Sequence, residues 1–257
     1  MSIHIPEVSS QQVADVVRDL DTKGIASLPN YIDSDDLKRM QAFVASAIER
    51  SEHEYVHFNG PDTVSGSGLE ELGHSPRFAR LMYDLYEQGT GKAALKQDFY
   101  QVLRCLAGNS GQKNSLIFHY DSYVVTALVP IEMSSEGRAG DLLIYPNTRK
   151  IRSSYMMNAC DKVLLDNPIT QRLLRACINF KQLSPMRVKL VPGHIYFFWG
   201  YRSIHTNEAC DPGKVRATAL FHYANPHRSA ATEHVDPRRR PVKFVHPLSS
   251  AEPSKQR

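Results

Sequence analysis

His119 and Asp121, two positions apart, His205 far along the chain and Arg216 eleven residues beyond it are the residues whose types and spacing carry chemistry. Two imidazoles and one carboxylate form the ligand set of a mononuclear non-haem Fe(II) centre. They occupy one face of the metal and leave the opposite face for a cosubstrate and O2. A His-x-Asp pair suits a strand end, because residues i and i+2 project to the same side of a sheet. The interval from His205 to Arg216 lets the chain run along one strand, turn and return on its neighbour. A guanidinium placed there could clamp the distal carboxylate of a bound 2-oxo acid through two parallel N–H···O bonds.

The elements that must hold these residues show in the periodicity. Segments 98–106, 115–131, 141–145, 187–191, 194–199 and 215–223 are short, aromatic and β-branched, with Gly, Pro and Asn between them, the pattern of a double-sheet jelly roll. Val13, Val16, Val17 and Leu20 recur at helical spacing and predict an amphipathic helix over 9–21, ended by Gly24 and followed by a short strand at 25–29. Asp33 or Ser34 can cap a second helix to about Arg50, with Leu37, Met40, Phe43, Val44 and Ile48 as its buried stripe. Residues 76–90 read as a further helix ending at Gly89. Asp161 to Phe180 reads as a helical insertion in which Pro168 starts a fresh turn. The Gly-, Ser- and Asp-rich stretch 59–75 reads as a loop, and it and the insertion at 149–180 are expected to form the substrate-facing walls. The chain therefore reads as one domain over 1–257, mainly β with flanking helices. It has a mostly helical support over 1–97, a double-stranded β-helix (jelly-roll) core over 98–224 and a basic Pro-rich tail over 225–257.

Four stretches, Phe118-His119-Tyr120-Asp121, Val191-Pro192-Gly193-His194-Ile195-Tyr196-Phe197-Phe198, Ile204-His205-Thr206-Asn207 and Val215-Arg216-Ala217-Thr218-Ala219-Leu220-Phe221-His222-Tyr223, together resemble the Fe(II)/2-oxoglutarate-dependent oxygenase superfamily. The resemblance is strongest to its phytanoyl-CoA dioxygenase-like branch and covers roughly residues 98–224, with Arg-x-Thr standing where that family usually has Arg-x-Ser. It implies that His119, Asp121 and His205 bind Fe(II), and that 2-oxoglutarate chelates the metal while its 5-carboxylate pairs with Arg216 and is hydrogen-bonded by Thr218. It also implies O2 as the second cosubstrate. Decarboxylation to succinate and CO2 would supply the oxidant for a substrate C–H bond, with the protein contributing geometry and a dry pocket. Members that halogenate carry Gly or Ala in place of the carboxylate ligand, so Asp121 favours oxygenation. Hydroxylation is the default outcome and desaturation or ring closure the alternative; a jelly-roll binding protein without chemistry is the competing class.

Further residues are pocket candidates. Thr126 could make a second 2-oxoglutarate contact or be an ordinary β-branched strand residue. Tyr123 shares the parity of His119 and Asp121, and His222 that of Arg216 and Thr218. Arg149 and Arg202 could bind a substrate carboxylate or phosphate, or stay solvated. His194 heads an apolar run and reads as structural, and the His227–Arg238 pair copies the His205–Arg216 spacing with no strand between.

The net charge of +4 sits largely in Arg238-Arg239-Arg240 and Lys243, a solvated tail that gives no argument for nucleic acid. Cys105, Cys160, Cys177 and Cys210 lie far apart with no Cys-x-x-Cys pair. That is the pattern of reduced thiols in a cytoplasmic protein, not of a disulfide framework or zinc site. No apolar run reaches membrane-spanning length, and the N-terminus lacks the continuous apolar stretch of a signal peptide. Nucleophile-elbow, P-loop and dinucleotide-binding glycine signatures are absent. The expected partner is a small-molecule metabolite, an amino acid or a natural-product intermediate.

Overall fold

Ser9 Oγ accepts a hydrogen bond from the Gln12 N–H and the Ser9 N–H donates to Gln12 Oε1, a capping box that starts helix α1 (Ser10–Thr22) and turns Val13, Val16 and Leu20 into the core. The computed structural model describes residues 3–227 except 153, 179, 181, 182 and 212, so Arg238 and most of the basic tail lie outside the described residues. After strand β1 (Ala26–Leu28), the Asp33 carboxylate accepts from the Asp35 and Asp36 N–H groups and opens α2 (Ser34–Arg50). Strand β2 (Val56–Asn59), a 3-10 turn (Pro61–Val64), α3 (Leu69–His74) and α4 (Pro76–Thr90) follow. Ser75 caps α4, Pro76 takes its first position and Gly91, at φ 68°, closes it in the left-handed region. Gly89, expected to end this helix, lies inside it, where a side chain would collide with the Trp199 indole.

The remaining elements are β3 (Tyr100–Leu106), α5 (Gly108–Lys113), β4 (Val125–Glu132), β5 (Leu142–Tyr145), α6 (Tyr155–Asp166), α7 (Pro168–Cys177), β6 (Met186–Val188), β7 (Ile195–Phe198), β8 (Ile204–Asn207) and β9 (Arg216–Tyr223). They form two antiparallel sheets, a large one in the order β1-β7-β4-β9-β3-β2 and a small one in the order β6-β5-β8. Alternation sorts their faces. On β9, Ala217, Ala219, Phe221 and Tyr223 join the core that packs the large sheet on α1, α2 and α4. A smaller core of Leu128, Leu142, Ile144, Leu190, Tyr196 and Phe198 draws on both sheets. Arg216, Thr218, Leu220 and His222 occupy the opposite parity of β9 from the helix-packed residues. No helix among the described residues is long and apolar enough to cross a membrane.

Three expectations change. Residues 61–74 are not an open wall: Val64, Leu69 and Leu72 are buried, Gln101 donates to the Leu69 carbonyl, and Gly73 packs on Gln101 and Phe221. This segment therefore covers the helix-bearing face of the large sheet, away from the face that carries Arg216 and His222. The strand expected over 115–131 begins only at Val125, because the backbone of 116–124 bonds at isolated points, to residues 200, 205, 207 and 224, and not along a continuous ladder. Finally, β8 and β9 are not neighbours. The connection between them crosses from the small sheet to the large one, pinned by an Ala139–Cys210 bridge and by Arg138 Nε on Asp211 Oδ1 at 2.7 Å.

Candidate metal centre

His119 and His205 face each other as one antiparallel bridge, each N–H donating to the other's carbonyl at 3.0 Å. This exchange ties the irregular 116–122 stretch to β8. Each imidazole uses Nδ1 on a backbone carbonyl two residues before it, His119 on Ile117 at 2.9 Å and His205 on Ser203 at 3.1 Å. A carbonyl can only accept, so Nδ1 carries the hydrogen and Nε2 keeps a free lone pair in the neutral ring. The two rings stand 4.4 Å apart, and Phe198 meets the His205 ring edge-on.

Asp121 completes the group. Its N–H donates to the Gly200 carbonyl, and its Oδ1 lies 3.8 Å from His119 Nε2 and 3.6 Å from His205 Nε2. One donor atom from each of the three residues falls within 4.8 Å of the others. Nitrogen and oxygen ligands at about 2.0–2.2 Å from a metal stand roughly 3.0–3.5 Å apart, so a small contraction suffices. The second carboxylate oxygen is held elsewhere: the Thr126 hydroxyl donates to Oδ2 at 2.6 Å while accepting from His222 Nδ1 at 3.0 Å. Gly200 leaves the room this needs, since a Cβ there would overlap Asp121 Oδ2 and Thr126 Oγ1.

Charges follow the same geometry. Burial alone would raise the Asp121 pKa, but His222 and His205 outweigh it and hold the carboxyl well below its usual range. Burial works against a charge on His205, yet the Asp121 charge and hydrogen bond win and raise its pKa. His119 is lowered by desolvation and then by His205; its open edge, with 39% of the side chain exposed, tempers that push without reversing its direction. Two imidazoles and an ionised carboxylate with a free edge fit a divalent metal with open positions.

Arg216 and Thr218 sit on the same strand face, with Arg216 Nη1 donating to the Thr218 hydroxyl at 3.1 Å and Nε to the Gly140 carbonyl at 2.7 Å. Arg216 is 3% exposed and makes no ion pair among the described residues. Burial, then the neighbouring Arg104 charge, pushes its guanidinium down to about 9, which still leaves it charged at neutral pH. Tyr123 forms a near-parallel stack with Tyr100, at 5.6 Å and 3°, and with His222, at 5.5 Å and 27°. His222 itself lies 3.5 Å from Asp121 Oδ2, so both flank the His119, Asp121 and His205 group.

The two arginines expected at the substrate are engaged elsewhere. Arg149 is sandwiched between the Tyr120 and Tyr201 rings, 3.7 and 4.3 Å from their centroids, and pairs with Asp161 of α6 at 2.9 Å. Arg202 pairs with Asp21 of α1, which also accepts from the Trp199 indole. The helical insertion does reach the site. Gln171 bonds both the N–H and carbonyl of Phe118, Arg175 bonds the Leu116 carbonyl, and Lys162 bonds Ser122 Oγ. Sequence reasoning passed over Gly200, Arg104 and Tyr100. A signal existed for Arg104, a charge inside the apolar run Val102-Leu103-Arg104-Cys105-Leu106, whereas the demand on Gly200 comes from a contact with distant residues.

No protein-family model matches the chain, and no curated protein matches it in sequence. Solved structures do. A prolyl hydroxylase from Trichoplax adhaerens, in complex with a hypoxia inducible factor peptide fragment, is 13% identical with a TM-score of 0.56 and aligns over 83% of this chain and 90% of its own. SnoN, a non-heme alpha ketoglutarate dependent epimerase from nogalamycin biosynthesis, is 15% identical with a TM-score of 0.53 over 97% of this chain and 100% of its own. SnoK, a carbocyclase of the same description and biosynthesis, is 15% identical with a TM-score of 0.53 over 85% and 86%. At such identities the likeness is one of fold. The two-sheet core with flanking helices is the jelly roll that these oxygenases share.

Proposed function

We propose that this chain is a non-haem Fe(II)- and 2-oxoglutarate-dependent oxygenase of the phytanoyl-CoA dioxygenase-like branch, oxidising an unactivated C–H bond of a small-molecule metabolite. The observation that carries this reading is the convergence of His119 Nε2, His205 Nε2 and Asp121 Oδ1, with both Nδ1 atoms committed to backbone carbonyls. His119, Asp121 and His205 would hold the iron. When bound, the metal with 2-oxoglutarate and O2 supplies the oxidising power, through decarboxylation to succinate and CO2.

The chain's own residues do the rest. Arg216 and Thr218 receive the distal carboxylate of 2-oxoglutarate. A buried guanidinium without a carboxylate partner among the described residues supports this, because a buried charge is stabilised once a counter-ion arrives. Thr126 acts as a positioning residue, holding Asp121 Oδ2 so that Oδ1 faces the imidazoles. The exposed edge of His119 and the half-buried Tyr100 and Tyr123 mark the substrate side, and α6 and α7 wall it through their bonds to residues 116–122. Free Cys105, Cys160, Cys177 and Cys210 support a reducing, cytoplasmic setting.

Hydroxylation is the outcome we assign. Ring closure, the activity named for the SnoK neighbour, is the second reading for the same site. A metabolite screen for substrate-dependent succinate release tests the proposal, and mass analysis of the product separates the outcomes. Gain of one oxygen supports hydroxylation, and loss of two hydrogens supports ring closure or desaturation. Absence of O2-dependent 2-oxoglutarate decarboxylation under every condition would reject the enzyme reading.

A further inference from the structure

Strands β3 and β9 place two guanidinium groups on one face. Their register sets Arg104 opposite Thr218 and Leu106 opposite Arg216. Directly opposed residues project to the same side, so the Arg104 side chain leaves the sheet on the face that carries Thr218 and Arg216, close enough for its charge to act on Arg216, whose Nη1 contacts the Thr218 hydroxyl at 3.1 Å. Arg104 is half-buried. Its Nη2 donates to the Asn114 carbonyl at 3.2 Å, and its guanidinium lies 5.9 Å from the Tyr55 ring centroid. Among the described residues it makes no ion pair, and neither does Arg216. Two like charges in a partly desolvated space repel each other, and a strand interior gives little reason to keep a cation there unless an anion joins it.

The donor count points the same way. Arg216 has committed Nε to the Gly140 carbonyl and one Nη1 hydrogen to Thr218, two of the five N–H donors of a guanidinium. A carboxylate offers about four acceptor sites, more than the free end of one such fork can saturate. Arg104 supplies the missing donors and the second positive charge.

We infer that Arg104 and Arg216 form a two-cation clamp for a single carboxylate, the distal carboxylate of the 2-oxo acid, and that Arg104 makes the site select dicarboxylate over monocarboxylate 2-oxo acids. The inference rests on the oxygenase reading above and adds a residue to its cosubstrate subsite.

Calorimetric titration of the full-length protein loaded with Ni(II) tests it. The two ligands are 2-oxoglutarate and 2-oxopentanoate, in which a methyl group replaces the distal carboxylate. The wild-type protein is expected to bind 2-oxoglutarate at least about tenfold more tightly. Arg104→Gln is expected to weaken 2-oxoglutarate by about tenfold and leave 2-oxopentanoate within about twofold, while Arg104→Lys recovers part of the loss through its charge. If Arg104→Gln does not fold, Arg104→Met, which keeps the packed stem, carries the same comparison. Unchanged 2-oxoglutarate affinity, or equal weakening of both acids, overturns the clamp while leaving the oxygenase reading intact. A wild-type protein that binds both acids alike, or neither, overturns the cosubstrate reading and the clamp with it.

Discussion

The Thr126 hydroxyl donates to Asp121 Oδ2 at 2.6 Å and accepts from His222 Nδ1 at 3.0 Å, so a strand residue decides which carboxylate oxygen faces the two imidazoles. Thr126→Val keeps the branched shape and removes only the hydroxyl. Metal affinity is expected to fall about 10–100-fold, the range for removing a group that orients a ligand, with a stability loss of roughly 1–3 kcal/mol for the orphaned Asp121 acceptor and His222 donor. Mn(II) titration and thermal melts of the same samples check both parts. Unchanged Mn(II) affinity would show that Asp121 does not depend on Thr126.

Gly200→Ala makes a sterically driven counterpart. A Cβ at that position overlaps Asp121 Oδ2 and Thr126 Oγ1, so the carboxylate must shift. Metal affinity is expected to drop by more than tenfold, a loss larger than that for Thr126→Val because Asp121 itself moves. Wild-type binding by the alanine variant would mean that the local backbone absorbs the added methyl without disturbing the ligand.

How far the site could be read in advance differs by residue. The convergence of His119, Asp121 and His205 was readable because such a set is a matter of residue type and order, and the shared face of Arg216 and Thr218 because parity survives on any strand. The path between His205 and Arg216 was not. Spacing allows a hairpin, but β9 pairs with β3 and β4 while β8 pairs with β5, strands far away in sequence, so the chain crosses into the other sheet. Asp33 marked the start of α2 and Pro168 that of α7, since a cap and a first-turn proline act through local interactions. The Gly- and Ser-rich run at 59–75 misled because those residues permit tight turns as readily as open loops, and Leu69 and Leu72 then pack the segment down. Arg149 looked free in sequence, and only the fold brings Tyr120, Tyr201 and Asp161 around it.

That sandwich gives a stability prediction. Arg149→Met removes the cation between two rings and the bond to Asp161. Breaking a fully buried pair costs roughly 3–5 kcal/mol, but here Arg152 still pairs with Asp161, so about 2 kcal/mol is expected. Denaturant melts read the total, and hydrogen exchange should show lower protection across α6. Unchanged protection there would separate Arg149 from the insertion it contacts.

Metal binding should also depend on pH with a predictable sign. The His205 pKa is raised above its ordinary 6.5, chiefly because Asp121 outweighs the effect of burial, so without metal this ring stays protonated to a higher pH than a free imidazole, and below that point the ion must displace the proton. Asp121 and His119 are both lowered and contribute little to the slope near neutrality. Affinity for Mn(II) should therefore rise with pH through and above 6.5, releasing about one proton per ion, and then level off. Affinity independent of pH between about 6 and 8 would contradict this assignment of His205.

In the proposed site His119, Asp121 and His205 hold one Fe(II) to which 2-oxoglutarate chelates. Anaerobic titration of the protein with Fe(II) and 2-oxoglutarate, followed by visible absorption, measures this chelation. A weak metal-to-ligand charge-transfer band that saturates at one iron and one 2-oxoglutarate per chain, is lost in Asp121→Ala and His205→Ala, and needs more 2-oxoglutarate to form in Arg216→Ala is the predicted result. Saturating Fe(II) and 2-oxoglutarate with no such band in the wild-type protein, or a band that survives loss of Asp121 and His205, would contradict it.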